Sequence, residues 1–139
     1  MGELHEQYRL RSLVYENIGI MGISAAHTAA FFRDVRANGL VWTIHDTDGF
    51  PAPLNSEGRR AMPFWSTTSR AQRVIATAPE YSGFQTISLT SAEWQQRWLP
   101  GLHGDGVLVG INWSGNRATG YDLEPEQVLN RLRALDRSG

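Results

Sequence analysis

The chain has 139 residues, a formal net charge of −1 and no cysteine, which is about one domain with enough length to bury a core unaided. A hydrophobic share of 41% and a charged share of 19% exclude wholesale disorder, and the near-zero charge removes any global attraction to nucleic acid or anionic membrane. Disulfides, thiolate metal sites and a cysteine nucleophile are excluded together, and because all 13 Lys+Arg residues are arginine, so is lysine-based chemistry.

Residues 1–23 read as an N-terminal extension with a short helix, and no signal-peptide core or membrane-length apolar run is evident. A cytoplasmic protein is the expectation, with no membrane and no nucleic-acid partner. The domain proper is expected over 24–139. Ser24 is a favourable N-cap for a helix over 25–38, and Asn38-Gly39 stops it. Leu40 to His45 is β-branched and aromatic, so a strand, and Asp46-Thr47-Asp48-Gly49 is a turn. Phe50 to Leu54 is expected to pair back as an edge hairpin strand carrying Pro51 and Pro53. Ala61 to Trp65 is a short strand, and a hydroxyl among Ser66, Thr67, Thr68 and Ser69 caps a helix ended by Pro79. Gln85 to Leu89 is a strand. Thr90-Ser91-Ala92-Glu93 opens a helix as a capping box, with Pro100-Gly101 expected to close it. Val107 to Trp113 is nearly continuous apolar sequence, as in a strand covered on both faces. A turn at Ser114-Gly115-Asn116 leads to a strand over 117–122, and Pro125 begins a last helix facing inward through Val128, Leu132 and Leu135. The pattern predicts an α+β class: a mixed, largely antiparallel sheet with helices packed against it in one compact domain.

Several of these segments together resemble the bacterial domain-of-unknown-function family 2750. They are Val41-Trp42 with Asp46-x-Asp48-Gly49, Arg60-Ala61-Met62-Pro63-Phe64-Trp65, and Trp98-Leu99-Pro100-Gly101-Leu102 with Asp105-Gly106-Val107, spanning about residues 24–136. Pro63-Phe64-Trp65-Ser66 and Ile111-Asn112-Trp113 also resemble, at fold level, the enhanced-serine-sensitivity protein B type of domain. Domains of that style occur near toxin and secretion systems, some as candidate immunity proteins. The first resemblance implies architecture, and the second makes a toxin one conceivable partner.

The chemistry-bearing residues point away from catalysis, without settling whether the protein is an enzyme. Asp46-x-Asp48-Gly49 begins like a calcium loop, but position 55 is Asn55 where the bidentate glutamate belongs. His45, Asp46, Asp48, His103 and Asp105 match no established metal spacing, so no metal and no cofactor is expected. A Gly-x-Ser-x-Gly elbow, a phosphate loop and a dinucleotide fingerprint are all absent. Two binding surfaces remain. Five tryptophans in a chain of this size, with arginine, suggest a protein interface, placed at exposed Trp65 and Trp113 with Arg59 and Arg60, leaving Trp42, Trp94 and Trp98 to the core. Alternatively the helix start over Ser66-Thr67-Thr68-Ser69 could hold an anion, assisted by Arg59, Arg60 and Arg70. The leading expectation is a protein-binding domain, an immunity-type toxin inhibitor being one form, as monomer or homodimer. Small-molecule or anion binding comes second and a metal-dependent hydrolase third.

Overall fold

The computed structural model describes residues 24–138, so the expected N-terminal extension, 1–23, lies outside the described residues. In chain order the elements are α1 (24–38), β1 (Leu40–His45), β2 (Ala61–Phe64), α2 (Thr68–Thr77), a 3-10 turn (Pro79–Tyr81) and β3 (Gln85–Thr90). Ser91–Glu93, Trp94–Trp98 and Leu99–Asp105 then run on as one helix, α3, followed by β4 (Leu108–Ser114), β5 (Thr119–Leu123) and α4 (Pro125–Ser138). The α+β expectation holds: β1 pairs antiparallel with β3, and β2, β4 and β5 form a second sheet. In that sheet β2–β4 is parallel and β4–β5 antiparallel.

The two sheets meet at one bridge, where Trp42 and Trp65 exchange both backbone N–H···O bonds at 2.7 Å. Pro63 explains why the pairing goes no further. It stands two residues before Trp65, so its backbone faces β1, yet it has no N–H to donate. Its carbonyl is taken instead by the Thr43 hydroxyl at 2.8 Å.

Strand β4 is the centre of the molecule, buried at every position before Ser114. Val109 and Ile111 face a core filled by Phe31, Phe32 and Val35 of α1, Trp94, Leu99 and Leu102 of α3, and Val128 and Leu132 of α4. Leu108 and Trp113 face a second core with Trp65 and with Ala71 and Val74 of α2. Coverage on both faces is why this strand reads as unbroken apolar sequence.

Three local expectations are corrected. Phe50 to Leu54 forms no hairpin with β1, whose pairing partner is β3 throughout. Asp46–Gly49 closes its own tight turn, and the following segment crosses to β2, with the Pro53 carbonyl accepting Ala61 N–H at 3.0 Å and Leu54 bridging Arg60. Helix α3 does not close at Pro100-Gly101. A π turn, in which Leu99 N–H reaches back to the Trp94 carbonyl, precedes a further segment with Pro100 in its first turn, where a missing N–H costs least. The helix stops at Gly106, in the left-handed conformation at φ 70°. Finally, β5 begins at Thr119 and not at 117, because the turn takes Gly115 at φ 83° and Ala118 at φ 50°.

Candidate functional site

The residues expected to bind fall into separate places. Trp65 is fully buried at 0% exposure and Trp113 is buried at 6%, which overturns their assignment to an exposed patch. Trp65 continues β2 between two covered faces, and its indole N–H donates to the Trp113 carbonyl at 2.8 Å. Trp94 is core as expected, whereas Trp42 and Trp98 are only partly buried.

Arg59 and Arg60 precede β2, while Ser66, Thr67 and Arg70 follow it. At about 3.3 Å per residue the two groups stand roughly 20 Å apart, so these arginines do not assist the start of α2. Arg59 is engaged by Glu124 and by the Gly106 carbonyl at 3.3 Å. Its hydrogen bond to Glu124 raises the arginine's pKa and lowers the glutamate's. Arg60 donates to the Ala52 carbonyl at 2.9 Å.

At the other end of β2, the polar residues form a closed joint. Thr67 is the N-cap of α2, its hydroxyl accepting Arg70 N–H at 3.2 Å. Asn112, at φ 44° in β4, accepts Ser66 N–H at 3.0 Å and donates to the His27 carbonyl at 3.0 Å and to Ser66 Oγ at 3.2 Å. The single Ser66 hydroxyl proton has two acceptors in reach, Asp34 at 2.9 Å and Asn112 at 3.4 Å. The shorter contact takes it. His27 Nδ1 lies 3.4 Å from Ser114 Oγ, and burial, then Arg70, lowers its pKa towards the neutral ring. These bonds pin α1 to the ends of the parallel strands. Ser66 gives its proton to a carboxylate rather than to an imidazole base, so the arrangement is not that of an activated nucleophile.

A different site lies across β4, where a cleft of about 540 Å³ opens between the 53–56 loop, the 3-10 turn and the β4–β5 hairpin. Its position follows from a bulge. Between the Ile111↔Tyr121 and Ser114↔Thr119 pairs, β4 carries one residue more than β5, and the extra residue moves Trp113 onto the face of Gly110 and Gly120. There the indole lies on bare backbone. A Cβ on Gly110 would come within 2.4 Å of the ring, and one on Gly120 within 2.9 Å.

This packing aims the Trp113 indole N–H at Asp122 Oδ1, 2.9 Å away, while Asn55 Nδ2 donates to Oδ2 at 3.2 Å. Asn55 is itself fixed, because its Oδ1 accepts Glu57 N–H at 2.9 Å and Arg59 N–H at 3.0 Å. Burial pushes the Asp122 carboxyl up, the hydrogen bonds from Asn55 and Trp113 pull it back in part, and nearby Glu57 raises it further. Tyr81 lines the same cleft with its phenol raised, first by burial and then by Glu80. A concave site that mixes apolar side chains, Pro53, Leu54 and Trp113, with convergent polar groups and perturbed acids is the kind a polar small ligand occupies.

Among the described residues, no group of three or more His, Asp or Glu side chains could hold a metal. The Asp46–Gly49 acidic turn is a turn, with Asp46 Oδ1 accepting Asp48 N–H at 2.9 Å. Also among the described residues, no helix is long and apolar enough to cross a membrane.

Asn55, Tyr81 and Asp122 were missed by sequence reasoning. The available signal was Gly110 and Gly120 either side of Trp113, since glycine inside a strand often marks close approach of another group. No curated protein matches the chain. The model of the family described as "Protein of unknown function (DUF2750)" matches residues 28–132, three-quarters of the chain, and the chain belongs to that family.

Proposed function

We propose that this domain is a binding module that takes a small organic molecule in the cleft beside β5. The observation that carries the reading is Asp122, a half-buried carboxylate held by Asn55 and by the Trp113 indole in the wall of a 540 Å³ cleft. A structural aspartate of this kind normally meets a cation or a full set of donors. Here it faces an open cavity of ligand size. The reading keeps the small-molecule class inferred from sequence and relocates it from the start of α2, whose Thr67 and Ser66 hydroxyls are engaged within the protein.

The test is a melting-shift screen of the full chain against amines, carboxylates, sugars and nucleosides, because a ligand of the native state raises apparent stability. Hits should also change the fluorescence of Trp113. Ser56→Trp, which adds an indole at an exposed cleft-lining position that makes none of the Asp122 hydrogen bonds, should abolish the shift. A flat profile across the panel, or hits that survive Ser56→Trp, would refute the cleft.

A protein-binding role, including inhibition of a toxin, is the second reading and needs a different surface from Trp65 and Trp113. The groove between α1 and α4, about 730 Å³ with Phe32 in its floor and Arg33, Arg36 and Arg131 in its walls, is the place that favours it. Arg131 stacks 4.1 Å over the Phe32 ring, an aromatic–arginine pairing of the kind that dominates interfaces. Arg36→Glu with Arg131→Glu should then weaken a captured complex. An unchanged affinity would remove the groove from consideration.

A further inference from the structure

From the charge around Asp122, and resting on the cleft reading above, we infer that the ligand is a small organic cation whose ammonium group sits against Asp122. The carboxylate has two neutral donors, the indole N–H of Trp113 and the amide of Asn55. An ionised carboxylate has about four lone-pair sites, so both oxygens keep capacity after these bonds are made. No cationic side chain among the described residues forms an ion pair with it: the pairs found are Arg33–Asp34, Arg59–Glu124 and His103–Glu126.

The remaining charges near the site sharpen the sign. Glu57 acts on Asp122 as a like charge, and Glu80 is a second acid in the cleft lining. Arg117 also lines the cleft, but it is exposed in the hairpin turn and makes no ion pair with Asp122. A desolvated carboxylate with dipoles and like charges around it lacks a counterion. An entering ammonium would supply that counterion, with donors for the unused lone pairs.

A bare metal ion fits less well. No cluster of three His, Asp or Glu ligands exists among the described residues, whereas hard divalent ions need six or more oxygens, some from water. The cleft volume and its apolar walls, Pro53, Leu54, Tyr81 and Trp113, suit a carbon skeleton behind the charged head.

Calorimetric titration of the full chain with matched pairs tests the charge directly: benzylamine against benzyl alcohol, 1,4-diaminobutane against 1,4-butanediol, and glucosamine against glucose. In at least one pair the amine should bind tenfold or more tightly than its neutral partner, and weaken as salt is raised. Asp122→Asn should lose that preference while the neutral compound is unaffected. Ser56→Trp, in the cleft lining, should abolish binding of both. If neutral members bind as tightly as amines, the cation inference falls and the cleft stands. Should no pair bind, or binding persist in Ser56→Trp, both fall. The wild-type pairs and their salt dependence decide the question even if Asp122→Asn does not fold.

Discussion

Two polar clusters flank the same strand, and they differ in what they leave unused. At the end of β4, Asn112 joins Ser66, His27 and, through Ser66, Asp34 into a network whose donors and acceptors answer one another. One bulge residue further on, Trp113 reaches Asp122, which has two donors, no ion-pair partner among the described residues and an open cleft in front of it. Both contain residues that would attract notice in a search for chemistry. The first consumes its polarity in fixing α1 to the sheet. The second keeps some to offer, and that distinction, not residue type, marks a site.

The sharpest way to break this contrast is through what the two clusters share, the β4 end and its tryptophans. Trp65→Ala should destabilise the protein by about 3–5 kcal/mol, because a fully buried indole and its bond to the Trp113 carbonyl vanish together. Chemical denaturation would measure it. A cost below about 0.5 kcal/mol, the range typical of surface positions, would contradict the buried placement.

Asn112→Gly tests the closed joint. Glycine accepts the φ of 44° at no steric cost, so only the amide is lost, leaving Ser66 N–H without its acceptor and the His27 carbonyl with its helical bond alone. The expected loss is about 1–3 kcal/mol, with ligand binding in the cleft unchanged. Gly110→Ala does the converse. Its Cβ would meet the Trp113 ring at 2.4 Å, a clash costing about 1–3 kcal/mol, and it should displace the indole N–H from Asp122 and weaken binding. If Asn112→Gly damaged binding as much as Gly110→Ala, the two clusters would be one site.

Much of this frame is legible in the sequence. The apolar run at β4 announced a strand covered twice, Pro125 opened α4, and Thr90 does accept Glu93 N–H at 3.1 Å as the capping box required. What was hidden was hidden for physical reasons. Trp113 follows a β-like run into a turn, and only the bulge at Asn112 determines which face it takes. Pro100 reads as a helix stop, and only a π turn just ahead of it lets α3 continue. Asn55 and Asp122 are separated by 67 positions, and nothing local in either segment signals the other. Thr67→Ala probes the legible part: losing the cap of α2 should cost about 1 kcal/mol and leave the cleft untouched, as read by melting temperature and ligand shift together.

The smallest expected effect is also the most specific to Asp122. Because burial raises its pKa above the ordinary 3.8 in the folded protein, the folded state holds the proton to higher pH than the unfolded chain. As pH rises from that ordinary value through the raised one, the unfolded state loses its proton first, and stability contributed at this residue declines. Glu124 behaves oppositely: the Arg59 hydrogen bond lowers its pKa below 4.5, so its contribution grows as pH rises through the same acid region. The two partly cancel in wild type, so the difference between wild type and Asp122→Asn isolates the aspartate. Across denaturation curves from acid to neutral pH, wild type should lose stability relative to the variant as pH rises, and a saturating amine should reverse that trend by neutralising the carboxylate. A wild type that instead gains on Asp122→Asn with rising pH would mean the carboxylate already has its counterion in the folded protein. The difference between the two clusters would then disappear, since Asp122 would be as fully answered as Asn112.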